Sequence, residues 1–225
     1  MRFQTLWQAK WILLVLLVFW GVVENFSPWW AILPAGLIAF TLYFFRDPRR
    51  RIPDGPGLIV SPADGRITDI EEMKEKELTN QRMRRIGIFL SVFDVHVNRA
   101  PAEGRVIYTA AVDGTYHDAR SPRASGHNTA RTWGFDCHGT TLVVRQITGA
   151  IARRIVPWAM LGDQLKRGQH FGMIRFGSRT EIFLPLEAEM KTMVGEQVMA
   201  GATVLAQIRQ RDQATTQPAE EKVIG

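Results

Sequence analysis

The amino-acid sequence predicts a mainly β protein of the α+β class, in which a hydrophobic helical hairpin precedes a β-sheet domain. Three observations support this fold class. Two apolar runs of helical length stand near the start of the 225-residue chain. Between residues 58 and 208, short alternating or β-branched runs recur as expected of strands. Within this region two pairs of segments echo each other, which indicates pseudo-symmetric halves.

The first 45 residues are predicted to form a membrane-anchoring hairpin. Their apolar runs cover residues 11–23 and 29–45, and each is slightly short of the ~20 residues that a spanning helix needs. The sequence therefore leaves open whether the hairpin spans the bilayer or is re-entrant. Tryptophans near the ends of the runs suit a membrane interface. The first run is not predicted to be a signal peptide. No cleavage site of small residues follows it, and a second apolar run does.

Charged residues give the hairpin an orientation. Arg2 and Lys10 precede it and the segment RDPRRR (residues 46–51) follows it, whereas the connection between the runs carries only Glu24. By the positive-inside rule, both ends and the domain that follows are predicted to lie at the cytoplasmic face of the cell membrane. The formal net charge of +6 agrees with an anionic membrane surface as partner, and no nucleic acid is expected.

The rest of the chain divides into three parts. Residues 46–57 are basic and contain proline and glycine, which is typical of a linker. Residues 58–208 predict a β-rich globular domain, in which only residues 70–85 favour a helix or a charged excursion. Residues 209–225 are polar and predict a flexible tail.

The internal echoes suggest that the domain repeats one structural unit. PADGRI (residues 62–67) resembles PAEGRV (101–106), and GDQL (162–165) resembles GEQV (195–198). In PADGRI and PAEGRV an acidic residue stands before glycine, which favours a turn. The pattern is also similar to that of biotinyl and lipoyl carrier domains. A membrane-anchored carrier or adaptor is therefore one function that the sequence could support. Lys191 suits a carrier poorly, because it stands only four residues before the glycine of GEQV.

The cysteine and histidine content argues against metal and disulfide chemistry. The single cysteine, Cys137, excludes an internal disulfide and a cysteine-rich zinc site. The five histidines show no spacing typical of metal ligands. No metal site is predicted.

Polar residues interrupt one of the apolar segments. FDVHVNRAP would place Asp94, His96 and Asn98 on one face of a strand, since successive side chains of a strand alternate. Such a face is either the wall of a site or a solvent-facing surface. Asp64, in SPADGR, is by its local sequence a turn aspartate.

A Gly-Ser pair stands between two arginines in RFGSR (residues 175–179), where residues 171–176 and 180–184 predict two strands. Glycine and serine both favour turns, so a tight turn is the simpler interpretation. The other interpretation is chemistry at the Gly177–Ser178 peptide bond itself.

Six segments together resemble one enzyme family. In chain order they are YFFRDPRRRIP, SPADGRI, FDVHVNRAPAEG, GAIARRIV, GDQLKRGQHFGMIRFGSR and FLP. In this combination the chain, from about residue 43 to residue 208, resembles the phosphatidylserine decarboxylase proenzymes in their short bacterial and archaeal form. The RFGSR segment is the most specific of the six.

The resemblance implies that the protein cuts its own Gly177–Ser178 bond and converts Ser178 into a pyruvoyl group. The products would be a β chain of residues 1–177 and an α chain of residues 178–225, held together as a heterodimer, with a higher oligomer left open. The pyruvoyl group would be the cofactor. As a Schiff base with membrane phosphatidylserine, it would act as the electron sink for decarboxylation to phosphatidylethanolamine.

The resemblance also implies roles for two other residues. Asp64 matches an aspartate thought to support self-cleavage, and His96 matches a histidine proposed as an acid–base group. Longer relatives carry a second histidine three residues further on, where this chain has Arg99. The base for self-cleavage therefore stays open between His96 and an unassigned group. A serine hydrolase is disfavoured, because neither G-x-S-x-G nor a paired lysine surrounds Ser178.

Overall fold

The computed structural model describes residues 2–26, 28–121, 124–150, 154–175 and 177–208. The predicted tail, residues 209–225, lies outside the described residues. The predicted fold class is confirmed: an apolar helical segment precedes a mainly β region with a curled eight-stranded sheet. The domain boundaries at residues 45, 57 and 208 remain predictions.

Two helices that pack against each other form the N-terminal hairpin. Helix α1 covers Arg2–Phe26 and helix α2 covers Ile32–Phe44. By length and composition, Gln4–Phe26 could cross a membrane. The 13 residues of α2 are too few by the same measure, since they reach only ~20 Å against a hydrocarbon core of ~30 Å. Most apolar side chains of the hairpin are exposed, as expected of a surface that meets lipid.

Fourteen strands and one short helix follow the hairpin among the described residues. The strands are β1 Leu58–Val60, β2 Gly65–Lys74, β3 Arg82–Leu90, β4 Val97–Arg99, β5 Gly104–Val112, β6 Ala130–Cys137, β7 Thr140–Thr148, β8 Arg154–Pro157, β9 Gln164–Leu165, β10 His170–Arg175, β11 Ser178–Leu184, β12 Glu189–Met190, β13 Gln197–Val198 and β14 Val204–Gln207. Helix α3 covers Ala124–His127.

The strands form one large and two small sheets. The eight-stranded sheet has the order β13-β2-β3-β11-β7-β6-β5-β9, so β11 lies near its middle. The two three-stranded sheets have the orders β1-β14-β12 and β4-β10-β8. All strand pairs are antiparallel, as expected for a chain that returns through short turns.

The helix considered for residues 70–85 is wrong. These residues belong to a long hairpin, in which β2 and β3 pair from Arg66↔Phe89 to Lys74↔Arg82. Cross-strand pairing of opposite charges explains the misleading polar sequence, since Arg84 contacts Glu72 at 3.0 Å across the hairpin. Strand β6 is also not evident from the sequence, because ARTWGFDC alternates poorly although Trp133 and Phe135 are fully buried.

The predicted pseudo-symmetry is visible in the pairing of the two echoes. Gln197 lies opposite Arg66, and Gln164 lies opposite Arg105. Each arginine donates from Nε to the carbonyl of the glycine that begins the partner segment, at 3.0 Å and 3.3 Å. The repeated sequences therefore build the same strand-and-turn unit at opposite ends of the large sheet.

The core of the β region is aromatic at its centre. Trp133, Phe135 and Phe171 are fully buried and meet edge to face, with ring centroids 5.3 Å and 5.5 Å apart. A second cluster joins the hairpin to the sheet of β8 and β10 and includes Ala9, Phe44, Phe45, Val156 and Met173. The base of the hairpin is thus packed into the domain rather than attached by a free tether.

Candidate active site

Ser178 occupies the first position of β11, in the interior of the large sheet. It pairs with Leu90 of β3 on one side and with Thr148 of β7 on the other. The residue is fully buried, and its hydroxyl has no hydrogen-bond partner among the residues that the structure describes. A buried hydroxyl without a partner costs ~1–3 kcal/mol, so this group is unusual for a structural serine.

Gly177 carries the change in backbone direction just before Ser178. Its φ is +56°, a left-handed conformation that glycine adopts without the steric cost of a Cβ. Its carbonyl lies directly against Gly149, because a Cβ on Gly149 would stand 2.4 Å from the Gly177 oxygen. The Gly177 carbonyl is therefore packed closely against residue 149. A side chain larger than that of glycine at position 149 would clash with the carbonyl oxygen.

The two arginines of RFGSR bind in different parts of the protein. Arg175 donates from Nη2 to the carbonyl and the side-chain oxygen of Gln8 in α1, at 2.8 Å and 2.7 Å. Arg179 contacts Asp69 of β2 at 2.7 Å and Glu181 of its own strand at 2.8 Å. The Gly-Ser bond thus lies between one contact to the hairpin and one to the large sheet.

His96 is brought to this bond by the loop between β3 and β4. The predicted strand face of Asp94, His96 and Asn98 is wrong, because β4 begins only at Val97. Asp94 instead closes a turn, in which its carboxylate accepts hydrogen bonds from the amide and the hydroxyl of Ser91, both at 2.8 Å. The short side chain of aspartate favours such a turn over a continued strand.

Both nitrogens of the His96 imidazole are engaged. Nδ1 lies 2.9 Å from the carbonyl oxygen of Asp94, which can only accept, so Nδ1 carries the proton. Nε2 then accepts a hydrogen bond from the backbone N–H of Gly177 at 3.1 Å. The imidazole is thereby held as one neutral tautomer, with its lone pair aimed at the residue before Ser178.

Burial sets the protonation state of His96. Loss of water lowers the pKa of His96 from 6.5 to about 4, and the positive charge of Arg46 acts in the same direction. The hydrogen bond to the backbone of Asp94 and the charge of Asp94 oppose this shift without cancelling it. His96 is therefore neutral at pH 7, the form in which a histidine accepts a proton.

Asn98 has a structural place next to the site. Its side chain accepts from Gln146 at 2.7 Å and donates to the Pro62 carbonyl at 3.1 Å and to the Thr180 hydroxyl at 3.2 Å. Trp133 donates to Gln146 at 2.8 Å and extends this buried network. The network joins β4 to β7 and β11, and thereby holds the strand that carries Ser178.

Asp64 lies at the same end of the large sheet, in the turn before β2. Since β3 separates β2 from β11, Asp64 is about 10 Å from Ser178 by strand spacing. Its carboxylate contacts Arg50 at 2.5 Å and accepts from the Ala200 amide at 2.8 Å, rather than from His96 or Ser178. Burial raises the pKa of Asp64 despite these partners. The structure therefore unites Gly177, Ser178 and His96 and leaves Asp64 nearby without direct contact.

Two residues at the site have no specific role predicted from the sequence, although both lie in segments that resemble the enzyme family. Gly149 has no turn signal around it, because its constraint comes from a strand end distant in sequence. Phe44 was assigned to the membrane hairpin, yet its ring lies 4.4 Å from the His96 imidazole. No periodicity or spacing in the sequence reports either contact.

Comparison with known proteins shows the family to which the chain belongs. A family model described as phosphatidylserine decarboxylase matches residues 37–206. A protein of Symbiobacterium thermophilum is 44% identical over 177 residues, which cover 78% of this chain and 82% of the relative. One of Carboxydothermus hydrogenoformans is 44% identical over 190 residues, with coverages of 84% and 88%. Both relatives are named phosphatidylserine decarboxylase proenzyme. The chain therefore belongs to the phosphatidylserine decarboxylase family and is a decarboxylase.

Proposed function

We propose that this protein is made as a proenzyme, cuts itself between Gly177 and Ser178, and then decarboxylates phosphatidylserine to phosphatidylethanolamine with a pyruvoyl group derived from Ser178. The observation that carries the proposal is the Ser178 hydroxyl, which is fully buried and lacks a partner among the described residues. Burial of an unpaired hydroxyl lowers stability, and its retention at this serine is consistent with a role as nucleophile.

The proposed cleavage begins with attack of Ser178 Oγ on the carbonyl carbon of Gly177. The bond from that carbon to the Ser178 nitrogen breaks, and an ester replaces the amide. Elimination then removes the Cα proton of residue 178, breaks the Cβ–Oγ bond and releases Gly177 as a carboxylate, which leaves a Cα–Cβ double bond at residue 178. Addition of water and loss of ammonia leave a ketone at residue 178. Residues 1–177 and 178–225 become two chains, joined by the ladders that β11 makes with β3 and β7.

His96 is the proposed acid–base group of this chemistry. It is neutral, and its Nε2 lone pair lies 3.1 Å from the Gly177 nitrogen, next to the bond that breaks. In the structure this lone pair accepts from the Gly177 N–H and makes no hydrogen bond with Ser178 Oγ, so we propose that Nε2 exchanges the Gly177 N–H for the hydroxyl proton of Ser178 during cleavage. The same imidazole can later return a proton to the substrate carbon that has lost carbon dioxide.

The residues present fit a pyruvoyl group at position 178. When formed, such a group supplies an electron sink for the carbanion that decarboxylation leaves. The surrounding strands exclude water from this position, since Ser178 and Thr180 are fully buried. Asp64 is proposed to support the site from a distance, through its pair with Arg50, rather than by direct contact.

The hairpin is proposed to hold the enzyme at the cytoplasmic face of the cell membrane, where its lipid substrate lies. Trp7 and Trp11 are exposed on α1, and Lys10 lies over both rings, 3.5 Å and 5.3 Å from their centroids. Aromatic and cationic side chains of this kind favour the boundary between lipid and water. The base of the hairpin would then stand at the level of the headgroups.

The first prediction concerns self-cleavage. Purified wild type should appear on a denaturing gel as two chains, and the smaller should have the mass of residues 178–225 less one ammonia, because its N-terminal serine has become a pyruvoyl group. Ser178→Ala should stay one chain and release no carbon dioxide, because it lacks the attacking oxygen. An active, full-length wild-type chain with an ordinary serine at position 178 would refute the proposal.

The second prediction separates the two roles of His96. His96→Gln should slow the chemistry by ~10²–10⁴-fold, the usual contribution of one acid–base group. Accumulation of the uncut chain would assign His96 to cleavage, whereas normal cutting with slow release of carbon dioxide would assign it to protonation. Both quantities are measured in one preparation. Near-wild-type values for both would remove His96 from the mechanism.

The third prediction tests the place of the Gly177 carbonyl. Gly149→Ala should slow cleavage by at least tenfold, because its Cβ would stand 2.4 Å from the Gly177 oxygen and displace the carbonyl from Ser178. Gly126→Ala is the matched control, since a Cβ there meets no atom within 4 Å. Cleavage is followed on gels during synthesis in vitro. Equal rates for the two variants would show that the contact with Gly149 does not matter.

The fourth prediction concerns pH. The pKa of His96 is about 4 when folded and 6.5 in its ordinary state, so its contribution to stability is complete above pH 6.5 and falls as the pH drops toward 4. The slope in this window reaches roughly 1.4 kcal/mol per pH unit. The double variant Ser178→Ala/His96→Gln should therefore lose less stability on acidification than the single variant Ser178→Ala, which retains His96. Parallel melting-temperature curves from pH 7 to pH 4.5 would contradict this assignment.

A further inference from the structure

The last turn of the membrane hairpin enters the catalytic region. Leu42 and Tyr43 of α2 are 47% and 46% exposed, whereas the next two residues, Phe44 and Phe45, are fully buried. The two phenylalanines meet edge to face, with centroids 5.1 Å apart. Around them lie Ala9 of α1 and Val156 and Met173 of the sheet of β8 and β10. The helix thus ends inside the domain and not at its surface.

Phe44 covers a face of the His96 ring. The two ring centroids lie 4.4 Å apart at an interplanar angle of 37°, and both side chains are fully buried. The in-plane contacts of the imidazole are made by the Asp94 carbonyl and the Gly177 amide. Phe44 therefore supplies the out-of-plane contact that two hydrogen bonds alone would leave free.

The segment after α2 fixes the same loop a second time. Arg46 donates from Nη2 to the carbonyl of Phe93 at 2.6 Å, and the Tyr43 hydroxyl donates to it at 3.3 Å. Phe93 lies three residues before His96 in the loop that carries it. The end of the hairpin thus contacts both the catalytic imidazole and the loop that holds it.

We propose that Phe44 is a positioning residue of the active site, which seals the His96 imidazole from water and fixes its plane toward Gly177, so that the membrane hairpin forms one wall of the site. This inference rests on the proposed role of His96. It adds that the hairpin serves the chemistry itself, besides holding the enzyme at the lipid. A flexible tether would leave its last aromatic rings exposed, whereas Phe44 and Phe45 are fully buried in the domain.

A spectroscopic experiment tests the contact without relying on turnover. The full chain carrying Ser178→Ala is labelled with ¹⁵N-histidine in micelles, and His96 is titrated by NMR, with His96→Gln to assign its signals. The charged groups that act on His96 are Asp94 on its own loop and Arg46 after α2, and both stay in every variant. With Phe44 present, His96 should remain neutral down to pH 5.

Removing the ring should expose the imidazole to water. In Phe44→Ala the pKa of His96 should rise from about 4 toward 6.5, and in the cleavable protein self-cleavage should slow by ~10²-fold. Phe44→Leu, which keeps an apolar cover, should lie between alanine and wild type. Leu42→Ala is the matched control, because its side chain lies on the same helix and is exposed. It should change neither quantity.

The outcomes are distinguishable from failure of the proposed function. If His96 titrates alike with and without the Phe44 ring, and cleavage stays within twofold, Phe44 does not position it and the inference is overturned. If Phe44→Ala does not fold, as judged by near-UV circular dichroism, Phe44→Leu carries the same test. If wild type itself never cleaves, the proposed function fails, while the NMR titration still decides whether Phe44 shields His96.

Discussion

The antiparallel pairing of β11 with β3 and β7 is the interaction on which the candidate active site depends. Both ladders begin at Ser178, so the backbone of this residue is fixed from two sides, while Gly177 before it turns into a left-handed conformation. The change from paired strand to kinked glycine falls on the bond proposed to be cut. The same pairing removes the serine hydroxyl from water, and the Asn98 network keeps β4 and its loop against this part of the sheet.

The hairpin and the catalytic region form one structural unit. Arg175 joins the strand before Gly177 to α1, and Phe44 joins α2 to His96. An ion pair of Arg99 with Asp47, at 2.7 Å, fixes the beginning of the following segment to β4. Arg99 thus has a structural role in β4, whereas His96 contacts the backbone of Gly177. The apolar hairpin and the candidate active site therefore share their packing.

The two pseudo-symmetric turns differ in the burial of their acidic residue. The Arg66 and Arg105 turns are built alike, yet Asp64 is buried beside the first and Glu103 is exposed beside the second. Arg50, after the hairpin, contacts Asp64 at 2.5 Å. Burial raises the pKa of Asp64. The two copies therefore share their backbone turn and differ in the burial of their acidic residue.

The sequence by itself determined the fold class, the apolar hairpin and the repeated turns, and it singled out the Gly177–Ser178 bond as the candidate site of self-cleavage. These features depend on local patterns of hydrophobicity, on glycine and on short motifs, which neighbouring residues largely control. Only the tertiary structure decided that residues 70–85 pair as strands, that Asp94 closes a turn, and that Phe44 and Gly149 touch the site. Those outcomes depend on contacts between residues far apart in the chain. The pKa of His96 belongs to the same group, because burial by distant elements lowers it and no local sequence encodes that burial.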